Sequence, residues 1–304
     1  MVNGDGTLAI LSSLRDQDLT GWTPRSTQGK FLAAGDDETG TLWYVVERTL
    51  GGVTERWIEE EDFGLLTDAA TTVTIAAETT AATAAQTLFA YGFASPASDG
   101  LVGVRVNGKR LSWPEDYSVD RDSKTVTLAL DTPLATGDQV RLCPMLASVT
   151  GLERFNGAQV WGIVDDTPEA APKTVSGGVL ALDAPADLSV EVGLFFAPQI
   201  DLLPARVDIP GQSSAGRSLR ICTVTLDVED MAIVEVSANG GPWWTISLRQ
   251  HGPGLLDVPL NRAGRTMLKR IEGLRGYSRD GALSIRQSIP AKFAIKAVIT
   301  EVLI

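Results

Sequence analysis

The sequence predicts an all-β protein of antiparallel sheets, arranged in β-sandwich or barrel-like domains with one small inserted β domain. Short alternating runs rich in Val, Ile, Thr, Trp and Tyr recur along the chain. Gly, Pro, Asn or Asp punctuates them where tight turns would fall. Apolar spacing at the helical period is almost absent. With 304 residues and 44% apolar content, the chain can bury a sizeable core in about two domains of roughly 100–200 residues, or in one elaborate β body.

The elements follow in order. Met1-Val2-Asn3-Gly4-Asp5-Gly6 reads as the end of one strand and a hairpin turn, followed by a strand over 7–14. The rest of that first arm, and with it a preceding domain, is expected to be missing or supplied elsewhere. Residues 41–60 read as a hairpin around Gly51-Gly52, because glycine takes positive φ at little cost. Residues 101–113 form a second hairpin around Asn107-Gly108, the preferred type I′ pair. Strands at 124–130 and 138–142 complete a small β unit. Later strands are expected at 158–164, 179–182, 187–196, 219–228, 232–237, 243–249, 282–287 and 292–303. Only 76–90 has the alanine content of a helix, and the threonines from Thr71 to Thr83 oppose it through β-branching. Composition then divides the chain into a β segment at 1–66, a linker plus inserted β domain at 67–146, and a C-terminal β domain at 147–304.

Net charge is −12, which argues against broad affinity for nucleic acid or anionic membrane. The charge is unevenly spread: residues 1–100 hold 15 acids and 5 bases, while 201–304 hold 10 acids and 13 bases. Neither a secretory leader nor a run of about 18 uncharged apolar residues is present, so no membrane insertion is expected. Two distant cysteines, Cys143 and Cys222, make no disulfide framework and no Cys-rich zinc site. The single histidine, His251, sits in a Gly/Pro turn, leaving little scope for a His-dependent nucleophile or metal site.

The remaining motifs divide between bland and functional readings. Glu59-Glu60-Glu61-Asp62 lacks the alternate ligand spacing of a calcium loop and reads first as a solvated strand end. Asp36-Asp37-Glu38 reads as a turn. Asp165-Asp166 is a carboxylate pair of the kind glycosidases use, but spacing in sequence says nothing of a cleft. Arg262, Arg265, Lys269, Arg270, Arg275 and Arg279 form a basic stretch that is either a solvated loop or a contact for an acidic partner. Catalytic, metal and cofactor residues: none are assigned.

Several segments, in order, resemble one family. Gly4-Asp5-Gly6-Thr7-Leu8-Ala9 precedes Arg15-Asp16-Gln17-Asp18-Leu19-Thr20-Gly21-Trp22. Then come Thr27-Gln28-Gly29-Lys30-Phe31, Leu42-Trp43-Tyr44-Val45-Val46-Glu47-Arg48 and Glu55-Arg56-Trp57-Ile58-Glu59. Further on, Val149-Thr150-Gly151-Leu152-Glu153, Thr174-Val175-Ser176-Gly177-Gly178, Val192-Gly193-Leu194 and Gly281-Ala282-Leu283-Ser284-Ile285 continue the pattern. Together they resemble the tail nozzle proteins of short-tailed bacteriophages, also called tail tubular proteins B or packaged-DNA stabilisation proteins. One extra residue stands between Trp22 and Arg25. The middle unit at 88–145 instead resembles small β modules of phage tail fibres and baseplates.

The resemblance implies a non-enzymatic virion protein of the tail, assembled in the host bacterial cytoplasm as a homohexameric ring. Its partners would be portal and adaptor rings, a fibre or spike, and packaged DNA passing without sequence-specific binding. A separate N-terminal nozzle chain is a further expected partner, because the family carries a large region ahead of the matching part. In this reading Glu59, Glu60, Glu61 and Asp62 line a DNA-repelling lumen, and the basic stretch from Arg262 to Arg279 is a subunit or adaptor contact. The alternatives are a fibre or adhesin module holding bacterial surface glycan on Trp113 or Trp244, and a glycan depolymerase.

Overall fold

The computed structural model of the chain describes residues 1–14, 19–203, 220–249, 259–276 and 281–303. His251 and its turn, Arg279 and Arg15-Asp16-Gln17-Asp18 lie outside the described residues. Among the described residues strand accounts for 55%, and no α-helix occurs. Helical structure there consists of short 3₁₀ turns such as Asp99–Leu101 and Glu153–Phe155. No described helix is long and apolar enough to cross a membrane.

Four apolar clusters organise the chain. The first gathers Leu8, Phe31, Tyr44 and Val46 beneath the antiparallel sheet Lys30–Asp36, Leu42–Leu50 and Val53–Glu60. Its hairpin turn is the expected one: Gly51 and Gly52 have φ of 54° and 84°, and Leu50 pairs with Val53 through to Trp43 with Glu60 without a bulge. Asp37 accepts from Thr39 and Thr41 in the predicted acidic turn. At the start of the chain, Val2 bridges to Leu8 and the Asn3 amide donates to Thr7 O, giving the hairpin a short first arm. Leu19–Arg25 returns against Leu8–Leu14.

The middle module is a small sandwich of two sheets. One contains Lys109–Arg110, Val102–Val106, Gln139–Pro144 and Glu78–Ala81; the other contains Tyr117–Asp120, Thr125–Leu128 and Leu88–Ala90. Phe89, Val104, Tyr117, Val126 and Leu142 fill the space between them. Residues 76–90 are therefore two short strands, not a helix. Threonines 79 and 80 favour the extended chain, and Ala82 and Phe89 point into the sandwich. The Asn107-Gly108 turn forms with φ of 49° and 83°, although its second strand is short. After Leu111 donates to Val104 O, the chain turns away through Ser112 and Asp116.

The third cluster, around Leu152, Phe155, Val160, Leu180, Val192 and Leu194, belongs to a discontinuous body. Asp68–Thr74, which composition alone assigned to a linker, is a strand pairing with Ser189–Leu194, and that strand pairs with Gln159–Val164. Ile75, Cys143 and Met145 pack into the same core. The module thus leaves the body and rejoins it at one seam. The fourth cluster lies in a second sandwich, between Gln199–Asp201, Leu283–Arg286, Ile233–Ala238 and Trp244–Ser247 on one side and Arg265–Glu272, Arg220–Met231 and Ile295–Leu303 on the other. Buried Val224, Leu226 and Val228 alternate with more accessible Thr225 and Asp227, the period of a strand with one covered face.

Candidate functional site

Alternation along Val53–Glu60 separates the acidic run into two populations. Trp57 and Glu59 face the same side as Val46 and Arg48; Arg56, Ile58 and Glu60 face away. On the covered side, Arg48 has a side-chain exposure of 0%. Its Nε and Nη2 donate to the two Glu59 carboxylate oxygens at 2.6 and 2.7 Å. Nη1 and Nη2 donate to Asp68 at 2.9 Å each, and Nη1 also reaches Gln28 O at 2.8 Å. All five guanidinium N–H donors are engaged, the planar fork geometry that lysine cannot reproduce. Asp68 also accepts from Thr27 Oγ1 at 2.6 Å and from the Gln28 amide. Burial pushes the Asp68 carboxyl up, but the bonds and charge of Arg48 outweigh it and hold the group below the usual carboxylate range. Trp57 stands beside the clamp, edge-on to Phe155, with Arg48 and Arg154 over its ring.

Glu61 is likewise neutralised: it pairs with Arg25 and accepts from Tyr44 Oη at 2.7 Å. Burial, together with Glu61, pushes the Tyr44 phenol up to about 12. Glu60 is exposed, and Asp62 is exposed with one oxygen capping the Gly64 amide. Among the described residues neither forms an ion pair. A charge-repelling role for all four acids therefore needs correction in part: Glu59 and Glu61 are compensated by arginine, and free negative charge remains at Glu60 and Asp62. These residues rim a cleft of about 940 Å³ between the first sheet, the 62–70 segment and the start and end of the second sandwich. Exposed Phe63 and Phe196 and the charged groups of Arg154 and Lys292 also line it.

Part of the basic stretch is a strand rather than a loop. Arg265–Glu272 is an edge strand of the sheet centred on Arg220–Met231, with Met267 and Ile271 turned toward the core. Arg262 pairs with Asp166, and Arg270 with Glu272 and Glu301, all at exposed positions where such pairs contribute little. Arg265, Lys269 and Arg275 form no ion pair among the described residues. Trp113 is half exposed, with its ring against Gly100, and Trp244 borders a small hollow of about 150 Å³ with Leu274 and Arg275.

A second charged cluster, not foreseen from sequence, closes the seam between module and body. Arg105 donates to both oxygens of Asp187 at 2.8 and 2.7 Å, and the Asp187 side chain has no exposure. Arg141 donates to the Asp187 and Ile75 carbonyls, and Arg110 stands 3.8 Å from Asp187. Asp165, at the positive-φ turn before Thr167–Pro168, accepts from the amides of Asp187, Leu188 and Ser189. Burial and the neighbouring Asp187 carboxyl raise the Asp165 carboxyl. Asp187 is pushed up by burial, but Arg105 and Arg110 outweigh this and hold it low. The Asp165-Asp166 pair is thus split between an internal lock and a surface contact with Arg262.

The seam is tightly packed at Gly103, where a β-carbon would come within 2.9 Å of Cys143 Sγ and 3.2 Å of Asp187 Cβ. Gly103→Val is accordingly expected to lose about 1–3 kcal/mol of stability by overpacking, read from a denaturant midpoint. No protein-family model matches the chain, and no curated protein matches it.

Proposed function

We propose that the chain is a structural virion protein, the tail nozzle of a short-tailed phage, which assembles into a hexameric conduit for packaged DNA. In that role it meets portal and adaptor rings, anchors a fibre or spike, and works in the virion tail without catalysis. One observation carries the reading. Residues from three of the segments that resemble the nozzle family meet around one buried guanidinium: Thr27 and Gln28, then Arg48 itself, then Trp57 and Glu59. What these segments have in common is a structural clamp that secures the first sheet to Asp68 of the body.

Electrostatics is compatible with a conduit. A passage for DNA should not hold its cargo, and uncompensated acids repel phosphate within a Debye length of about 10 Å at 0.1 M salt. Asp62, beyond the end of Val53–Glu60, is the member of the acidic run free for this. The wild-type assembly is expected not to retard duplex DNA in a gel at that salt, whereas Asp62→Lys is expected to retard it with the clamp intact. Equal mobility shifts for both proteins would remove Asp62 from the channel. Imaging of the assembly tests the ring itself.

A further inference from the structure

Two strands of equal length end their sheets with an unused edge. Val53–Glu60 is the last strand of the first sheet, and Arg265–Glu272 is an outer strand of the second sandwich. Among the described residues, no backbone group pairs with the outer edge of either. An exposed edge of this length is a template for another strand unless something covers or blunts it. Their charges are mirror images. Val53–Glu60 carries Glu55, Glu59 and Glu60 against Arg56; Arg265–Glu272 carries Arg265, Lys269 and Arg270 against Glu272. Every other outer strand of seven residues or more (Leu8–Leu14, Leu19–Arg25, Lys30–Asp36, Asp68–Thr74, Leu180–Ala186 and Ile295–Leu303) carries a net charge of no more than one, so charge singles out this pair. Each of the two also shows an aliphatic side chain to solvent, Ile58 at 76% and Leu268 at 65% exposure.

We infer that Val53–Glu60 of one copy pairs, edge to edge and antiparallel, with Arg265–Glu272 of a second copy of this chain. Full antiparallel overlap sets Glu55 opposite Arg270 and Glu60 opposite Arg265, two opposite-charge cross-strand pairs against one like-charge pair, Arg56 opposite Lys269. The two edges are different surfaces of one chain, so the contact is heterologous and propagates head to tail until the ring closes. The inference deepens the nozzle reading and rests on it only for the number of subunits that close the ring.

The backbone gives the sharper test. Leu50 and Val53 flank a two-residue turn, so they exchange both hydrogen bonds of a bonded pair. Counting on from there, Thr54, Arg56, Ile58 and Glu60 direct their N–H groups to the open edge. Ile58→Pro removes one outward donor without taking a bond from the hairpin, whereas Ile58→Ala removes only the side chain.

The experiment is light scattering with negative-stain imaging of the full chain and its variants, with a thermal melt of each to confirm folding. Glu55→Lys/Glu60→Lys and Arg265→Glu/Arg270→Glu are each expected to fall to the mass of a single chain, as is Ile58→Pro, while Ile58→Ala stays assembled. Mixing the two charge-reversed proteins in equal amounts is expected to restore assembly in strict alternation, which closes only with an even number of subunits. A monomeric wild type overturns the inference, as does wild-type mass in either charge-reversed protein or in the proline variant, or failure of the mixture to reassemble. A charge-sensitive wild-type assembly that is not six-fold upholds the contact and removes the nozzle reading; a six-fold ring indifferent to these changes does the reverse.

Discussion

Asp187→Asn is expected to destabilise the protein by about 3–5 kcal/mol, the range for removing one partner of a buried ion pair. The loss follows from what remains. Arg105 would keep its place at the seam beside Arg110 and Arg141, having lost its bidentate carboxylate and keeping only Asp165, 3.9 Å away. Chemical denaturation measures the loss, and proteolysis near residues 76 and 145 is expected to accelerate as the module loosens from the body. Asp165→Asn is the contrasting variant, expected to cost less than Asp187→Asn, because burial and the neighbouring Asp187 carboxyl already disfavour the charge at Asp165. The pH dependence has opposite signs at the two sites. Asp165, with its raised value, contributes stability present below an unfolded value of about 3.9 and lost as pH rises through the folded one. Asp187, with its lowered value, contributes stability present above about 3.9 and lost as pH falls through the folded one. Asp165→Asn should therefore remove the decline in stability on going from about pH 4 toward neutrality and leave the acid limb in place.

Arg48→Ala is expected to have an effect of similar size, about 3–5 kcal/mol, with the first sheet rather than the module as the part released. Glu59 and Asp68 would be left facing one another around an empty site, and Gln28 O would lose its donor. Arg48→Lys is expected to recover only part of the loss, since an ammonium has three donors and cannot serve both carboxylates in their planar arrangement. The Asp68 contribution in the wild type is present above about pH 3.9 and lost as pH falls through its lowered value, so the arginine variants should show a weaker acid transition. Fluorescence of Trp57, which lies against Arg48, Arg154 and Phe155, reports the change locally.

Much of the fold was legible because strands with one covered face impose a period of two. The hairpins at Gly51-Gly52 and Asn107-Gly108 followed from turn chemistry alone. Strands with a weak apolar period were harder to see. Asp68–Thr74 consists mostly of alanine and threonine, and only its pairing with Ser189–Leu194, more than a hundred residues away, makes it a strand. Arg265–Glu272 was hidden by its charges, because an exposed edge has no reason to be apolar.

The charged clusters were half legible. In Tyr44, Val46 and Arg48, arginine falls in phase with two buried side chains, a register that announces a buried cation. Nothing local names Asp68 as its partner, since that contact depends on how sheet and body dock. Asp187 lies in the two-residue bend between Leu180–Ala186 and Ser189–Leu194, with no distinguishing neighbour. Its importance arises only when Arg105, on a strand of another module, is placed beside it.

The central claim is that this chain builds a closed conduit from copies of itself. The most direct measurement is the mass and symmetry of the purified full chain, by light scattering with negative-stain imaging. The account predicts a six-fold ring with an open centre. A trimer, or a single chain that stays single at high concentration, would contradict it.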